Sequence, residues 1–291
     1  MNPPVIITCA LTGGIHGKEA NPNLPEQPDE IVRHGVAAAA AGAAILHIHV
    51  RNPDGTNTMD VEIFREVHDR LRAETDAVLQ LTTGGSPLLP VAERIQPVKL
   101  GPEMCSLNMG LLNFFIRGEQ VFFPNHRSDI TWFATEMAER GIRPELEVYN
   151  SAMLEEVAHL IEQGILTPPY VVNLVLNTPT QGGMRGTPAN LQDMVSRCHD
   201  LPADPRDIRI NVSSMGRTQL PITTIAMAMG CNVRVGMEDN VFWARGELLR
   251  DNAQLVERAA AFAGLLQREI ATPDQAREIL GIPDRKTEKT T

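Results

Sequence analysis

Residues 45–51 read Ile-Leu-His-Ile-His-Val-Arg. Alternation along an extended strand puts His47, His49 and Arg51 on one face and Leu46, Ile48 and Val50 on the other. Two imidazoles at i and i+2 can share a metal ion through neutral ring nitrogens. The same spacing also suits a pair of hydrogen-bonded interior histidines, and the motif alone leaves both readings open. Residues 233–240 read Val-Arg-Val-Gly-Met-Glu-Asp-Asn. In a regular strand Arg234 and Glu238 share a face, and Glu238 and Asp239 sit at its end, where a third ligand and a general base would belong. Three protein ligands with one open position describe a catalytic zinc site rather than a structural one. Arg234 could equally serve to neutralise the acidic pair and hold an aspartate ionised and oriented.

Other polar groups fall at similar points. Residues 82–86, Thr-Thr-Gly-Gly-Ser, end an apolar run. Glycines there let backbone N–H groups approach an anion, or simply make a turn. Ser106 and Asn108 share a strand face, as do Glu145 and Glu147, of which at least one should point inward. Residues 213–217 are a further candidate contact for a phosphate or carboxylate. Cys9 and Cys105 lack a histidine partner and read as core. His34, His68, His126, His159 and His199 fall on segments expected to be solvated, and His16 lies in a Gly-, Asn- and Pro-rich loop over residues 13–28, where it could touch a ligand.

These groups need elements that bring them together. Eight β-rich runs cover residues 5–11, 44–50, 77–83, 104–109, 145–149, 170–176, 208–213 and 232–237. Helical spacing follows most of them, over 29–41, 61–74, 88–96, 128–140, 154–162, 188–197 and 220–229. Alternating strands and helices imply parallel strands with crossover helices. Eight such units predict an α/β fold of the (β/α)₈ barrel type, with functional groups at the C-terminal strand ends. An open doubly wound sheet is the alternative. A long helix is expected over 248–269 and another over 272–280. The barrel with its C-terminal helices would then span residues 1–284, followed by a polar tail over 285–291.

Composition agrees with a soluble globular chain. Of 291 residues, 43% are hydrophobic and 21% charged. The net charge of −10 argues against a nucleic-acid binder. Four scattered cysteines without a CxxC pair suggest a reduced, cytoplasmic setting. The N-terminal segment lacks a basic stretch before its short apolar run, so no signal peptide is expected. No run is long enough to suggest a membrane span.

Taken together, these motifs resemble the β-keto acid cleavage enzymes, whose best-known member cleaves 3-keto-5-aminohexanoate. The carrying segments are TCALTG at 8–13, HIHVR at 47–51 with its preceding strand, TTGG at 82–85, SLNMG at 106–110, PELEVY at 144–149, VRVGMEDN at 233–240 and ATPDQAREILG at 271–281. The similarity spans nearly the whole chain. It implies a (β/α)₈ barrel, a homotetramer and one zinc ion held by His47, His49 and Glu238. It also implies an acid–base dyad of Arg234 and Asp239. Thr82, Gly85, Ser106 and Asn108 would hold the carboxylate and keto end of the substrate, with Glu147 nearby.

The implied reaction joins a 3-oxo acid to acetyl-CoA and yields acetoacetate and a new acyl-CoA, with Arg51 and Arg217 as candidate CoA contacts. Zinc follows from the resemblance; two histidines and a carboxylate also suit non-haem iron. A zinc-dependent aldolase or hydrolase that needs no CoA remains an alternative, as does a silent metabolite-binding barrel. One position departs from the aminohexanoate enzyme. Where that enzyme has a glutamate facing the substrate ammonium, this chain has Ile15. The expected substrate therefore lacks an amino group at that end.

Overall fold

In the computed structural model, residues 3–116 and 119–282 are described. The polar tail expected over 285–291 lies outside the described residues. Eight parallel strands close into a barrel: β1 (Ile7–Ala10), β2 (Ile45–Ile48), β3 (Val78–Leu81), β4 (Met104–Asn108), β5 (Arg143–Val148), β6 (Tyr170–Leu176), β7 (Ile208–Ser214) and β8 (Asn232–Val235). Each pairs with its neighbours in sequence, and β1 closes the ring against β8. The (β/α)₈ expectation holds, and the open sheet is excluded.

Between the strands run α1 (Pro28–Ala40), α2 (Val61–Glu74), α3 (Val91–Arg94), α4 (Arg127–Glu139), α5 (Leu154–Glu162), α6 (Pro188–Cys198) and α7 (Gln219–Ala228), and after the barrel come α8 (Ala253–Leu265) and α9 (Pro273–Leu280). Local chemistry explains their limits. In α2, the Asp60 carboxylate accepts the Glu62 N–H at 2.8 Å, and Phe64, Val67, His68 and Leu71 form the buried stripe. Helix α6 opens on a Thr187 cap with proline in its first turn and buries Leu191, Met194, Val195 and Cys198.

Two helices are shorter than the sequence suggested. Pro90 and Pro97 bracket α3, and a 3₁₀ turn (Gln96–Leu100) continues from it. Helix α8 starts only at Ala253, because residue 248 ends a small hairpin and the Asn252 side chain is used elsewhere. Residues 112–116 and 119–123 form a structure that the sequence reading did not anticipate. Strands Leu112–Ile116 and Glu119–Phe123 form an antiparallel hairpin, which Thr180–Gln181 extends to three strands over the barrel mouth.

The opposite end of the barrel is closed by α9. Its Ala276 and Leu280, with Ile282, pack against Ile6, Ile45, Val78, Met104 and Val171 from the strand beginnings. Arg277 fastens it, with Nε 2.6 Å from the half-buried Glu103 carboxylate and Nη2 donating to the Asp76 carbonyl at 2.9 Å. Arg209 adds a bond to the Ile279 carbonyl at 3.0 Å. Leu280→Ala opens a cavity in this plug, so it should lower unfolding free energy by about 2–5 kcal/mol in urea titration. Affinity for an added divalent metal should not differ between the variant and wild type, because the plug lies at the far end from the mouth.

Candidate functional site

His47 and His49 come from the end of β2. The strand proper stops at Ile48, and Val50–Arg51 pairs instead with Asn57–Thr58. Both imidazoles nevertheless reach Glu238: His47 Nε2 lies 3.6 Å from Glu238 Oε2, and His49 Nε2 lies 3.6 Å from Oε1. One ligand atom from each of the three residues falls within 4.8 Å of the others.

The donor chemistry fits a divalent metal. His47 Nδ1 is 2.7 Å from the Gln80 side-chain oxygen, so Nδ1 carries the proton and Nε2 keeps its lone pair. Burial lowers the His47 pKa to about 3 and also lowers that of His49, keeping both neutral at physiological pH. Glu238 Oε2 is buried and accepts no hydrogen bond from the described residues. Burial opposes its charge, but the Arg234 guanidinium holds its pKa below the usual range. The site thus offers two neutral nitrogens and an ionised oxygen at one point.

Arg234 organises the acidic side. Its Nε and Nη2 donate to Asp239 at 3.0 and 2.8 Å, Nη2 also donates to Glu238 at 2.5 Å, and Nη1 donates to Glu147 at 3.2 Å. The sequence pictured a regular strand running to 237. Instead β8 ends at Val235, and a turn at Gly236 swings the next residues round. Gly236 has φ +139°, and a Cβ there would fall 2.0 Å from the Ala10 carbonyl oxygen, so only glycine fits. The Met237 N–H is then caught by Asn252 Oδ1 at 2.8 Å, while Asn252 Nδ2 donates to the Leu11 carbonyl at 3.0 Å. This one buried amide ties the end of β1 to the turn that presents Glu238.

A cavity of about 810 Å³ opens above these groups. Among the sequence candidates, Ile15, His47, His49, Thr82, Gly85, Asn108, Glu147, Arg234 and Glu238 line it. Asn108 Oδ1 is buried there with no hydrogen-bond partner among the described residues. Asp239 does not line the cavity; its side chain is wholly covered behind Arg234. Ser106 is buried too, with its hydroxyl and carbonyl turned toward Thr83.

Glu145 and Glu147 both point inward. Glu145 Oε1 accepts from Asn211 at 2.8 Å. Burial pushes the Glu147 carboxyl up to about 8, against the pull of Arg234, and lifts Asp239 upward as well.

Several expectations change. His34 and His68, expected in solvent, are buried; His34 bonds to Asn252 and His68 to Asp69. His16 lies outside the cavity lining. Arg51 lines the cavity, yet its guanidinium already meets Glu26 and the Gly13, Gly55 and His16 carbonyls. The sequence reading missed Gln80, Asn252 and Arg94. Arg94 is buried and donates to the Thr83 and Pro124 carbonyls at 3.1 and 2.8 Å, under the Phe123 ring, fastening the hairpin to the Thr82–Gly85 turn. Nothing in its sequence neighbourhood separates it from a solvated helix arginine.

Two substitutions probe this geometry. At Gly13, with φ +71°, a Cβ would lie 2.4 Å from Glu238 Cγ. Gly13→Ala should therefore weaken divalent-metal binding by about ten-fold or more, read by chelator competition. Glu147 titrates near 4.5 when unfolded and about 8 when folded. Between those values the folded protein holds a proton that the unfolded chain has released, so stability falls as pH rises through that window. Glu147→Gln, always neutral, should raise Tm over wild type by a margin that widens from pH 5 to pH 8. An equal margin at both would show that the native carboxyl is already ionised.

The described architecture has counterparts among known proteins. The family model described as beta-keto acid cleavage enzyme matches residues 4–282. The 3-keto-5-aminohexanoate cleavage enzyme of Acetoanaerobium sticklandii is 39% identical over 279 residues, covering 96% of this chain and 98% of that protein. The 3,5-dioxohexanoate:acetyl-CoA acetone transferase of Paraburkholderia graminis is 37% identical over 298 residues, covering 95% of each. Among solved structures, apo ObcA superposes with a TM-score of 0.76 at 18% identity, over 90% of this chain; the chain spans 66% of ObcA's length.

Proposed function

The chain belongs to the beta-keto acid cleavage enzyme family, and from that premise we propose that it converts a neutral 3-oxo acid and acetyl-CoA into acetoacetate and a new acyl-CoA. The observation that carries this reading is the meeting of His47, His49 and Glu238 with the protonated Glu147 and with Arg234 in one cavity. For a substrate R–CO–CH₂–COO⁻, the bond between C2 and C3 breaks. C2 with its carboxylate joins the acetyl carbon, and the R–CO group leaves on the CoA sulfur. All atoms are accounted for, and no oxidant or reductant is needed.

A divalent ion on His47, His49 and Glu238 would supply Lewis acidity to the keto and carboxylate oxygens of the acid. We assign zinc to that place on the resemblance to the family; two imidazoles and a carboxylate fit it. The remaining work falls to the chain's own groups. Thr82, Gly85 and Asn108 sit where the carboxylate end would rest, with Ser106 behind them holding the Thr83 backbone. The Arg234–Asp239 dyad is assigned the proton at C2. Burial raises Asp239 toward working pH, where a carboxylate can both take and return a proton. Arg234 lines the cavity and covers Asp239, holding it by two hydrogen bonds, so the transfer requires the guanidinium to swing aside. Glu147, protonated near neutrality, is placed to donate a hydrogen bond to oxygen charge that develops when the thioester is attacked.

Substrate choice rests on Ile15. It stands half-exposed at the rim of the cavity. An aliphatic side chain cannot pair an ammonium group, and of the rim carboxylates Glu19, Glu26, Asp54 and Glu119, Glu26 is taken by Arg51 at 3.0 Å. Relatives of this chain are named for a cationic acid and for a neutral one; Ile15 favours the neutral kind. We further propose a cytoplasmic homotetramer; the four free, buried cysteines support the reduced compartment.

The test is mass-spectrometric detection of acetoacetate and acyl-CoA with a panel of neutral and cationic 3-oxo acids, with metal content measured on the same sample. Turnover should appear on a neutral acid, fall by several orders of magnitude in Glu238→Ala, and shift toward aminated acids in Ile15→Glu. Preference of the wild type for 3-keto-5-aminohexanoate would overturn the substrate assignment. Cleavage without acetyl-CoA would point to an aldolase or hydrolase.

A further inference from the structure

A second cavity, of about 660 Å³, adjoins the first. Phe114 and Thr178 line both, so the two spaces meet at those side chains. It lies between the three-stranded sheet over the mouth and the segment 177–185 that follows β6. Thr178 is 8% exposed, and its Oγ1 is buried with no hydrogen-bond partner among the described residues. Asn113 Oδ1 is likewise buried and unpartnered, although its Nδ2 donates to Gln181 at 2.8 Å. Farther out the lining changes character. The Phe115 ring is 73% exposed. Arg185 is exposed and joins none of the ion pairs among the described residues.

That order of groups has a chemical counterpart. Unpartnered oxygens beside the reacting cavity suit a slender arm that carries amide N–H groups. An exposed aromatic face suits a purine ring, and an unpaired guanidinium suits phosphate. Resting on the reading above, we propose that this groove holds the acyl-CoA co-substrate: the pantetheine arm passes Thr178 and Phe114, the nucleotide stacks on Phe115, and its phosphates meet Arg185. The thioester would then enter the main cavity from the side of Tyr149 and Glu147, which line its wall. The covered arginines near the metal-ligand triad are engaged with carboxylates and the rim Lys18 pairs with Glu30, whereas Arg185 lines the second cavity and joins none of the ion pairs among the described residues.

Zn²⁺-supplemented wild type, Arg185→Ala and Phe115→Ala would be titrated calorimetrically with coenzyme A and with adenosine 3′,5′-bisphosphate. The loss of one charge-assisted contact should weaken both ligands about ten-fold in Arg185→Ala. The KM for acetyl-CoA should rise in step, with the KM for the 3-oxo acid unchanged. The penalty should vanish with S-acetyl-N-acetylcysteamine, which lacks the nucleotide. Wild-type binding of coenzyme A with unaltered affinity in both variants would overturn the groove while leaving the reaction class intact. Wild type that neither binds coenzyme A nor forms acyl-CoA would overturn the reaction class and the groove with it. A Phe115→Ala variant that changes mass in light scattering but keeps its coenzyme A affinity would assign the face to a second copy of the chain.

Discussion

The site depends on one buried guanidinium. Arg234 is 2% exposed and donates to three carboxylates, those of Asp239, Glu238 and Glu147. Three acids so close in a low-dielectric interior could not all ionise without it. Arginine suits the place because its planar fork keeps several donors in fixed directions and its charge persists under burial. The arrangement does not amount to cheap stability, since desolvating such a cluster costs about as much as its attractions return. What it secures is a graded set of acids. Glu238 is held ionised beside two neutral imidazoles, while Glu147, with a single longer contact to the guanidinium, is left protonated near neutral pH. A candidate metal ligand and a proton-holding group thus arise from the same residue type a few ångströms apart.

That cluster shapes the rest of the barrel. Barrels of this kind are usually filled by layers of branched aliphatic side chains. Here the interior carries Gln80, Glu145, Glu147, Asn173, Asn211 and Ser213, all buried. The aliphatic core lies instead between strands and helices, and in the plug under α9. Stability is supplied outside the barrel and at its far end, which leaves the mouth free to hold polar groups that a packing-optimised core would exclude. Gln80 shows the link between the layers: one inward amide, level with His47 in the β2–β3 register, fixes the tautomer of His47.

The sequence shows the barrel clearly because period-two runs and helical stripes repeat along the chain, each set by local rules. The triad His47, His49 and Glu238 is legible for the same reason: i, i+2 spacing on a strand end is a local signal. Arg234 meeting both Glu238 and Asp239 is visible as a motif, but not for the reason the pattern suggested. A regular strand would have separated Asp239 from the guanidinium face, and the contact exists because Gly236 turns the chain against Ala10. Asn252, Arg94 and Gln80 were not legible. Each acts through partners more than ten residues away, and an isolated amide or guanidinium in a helical or strand pattern carries no mark of that role. Asp239 shows the converse limit, since a residue can belong to the motif and still not face the cavity.

The hairpin at residues 112–123 was the element the sequence pattern missed, and the reason bears on function. A (β/α)₈ barrel tolerates insertions after its strands because the scaffold already satisfies its own hydrogen bonds, so those segments are free to vary. Their residues follow the shape of a ligand more than the period of a strand. Phe114 packs inward against Phe123 while Phe115 faces out, which reads from sequence as a plain apolar stretch. The reacting groups can be read because chemistry restricts them to a few residue types at fixed spacing. The walls that choose the acid and carry its thioester partner are set by shape, and shape emerges only when Arg94, Thr180 and Asn113 bring distant segments together over the mouth.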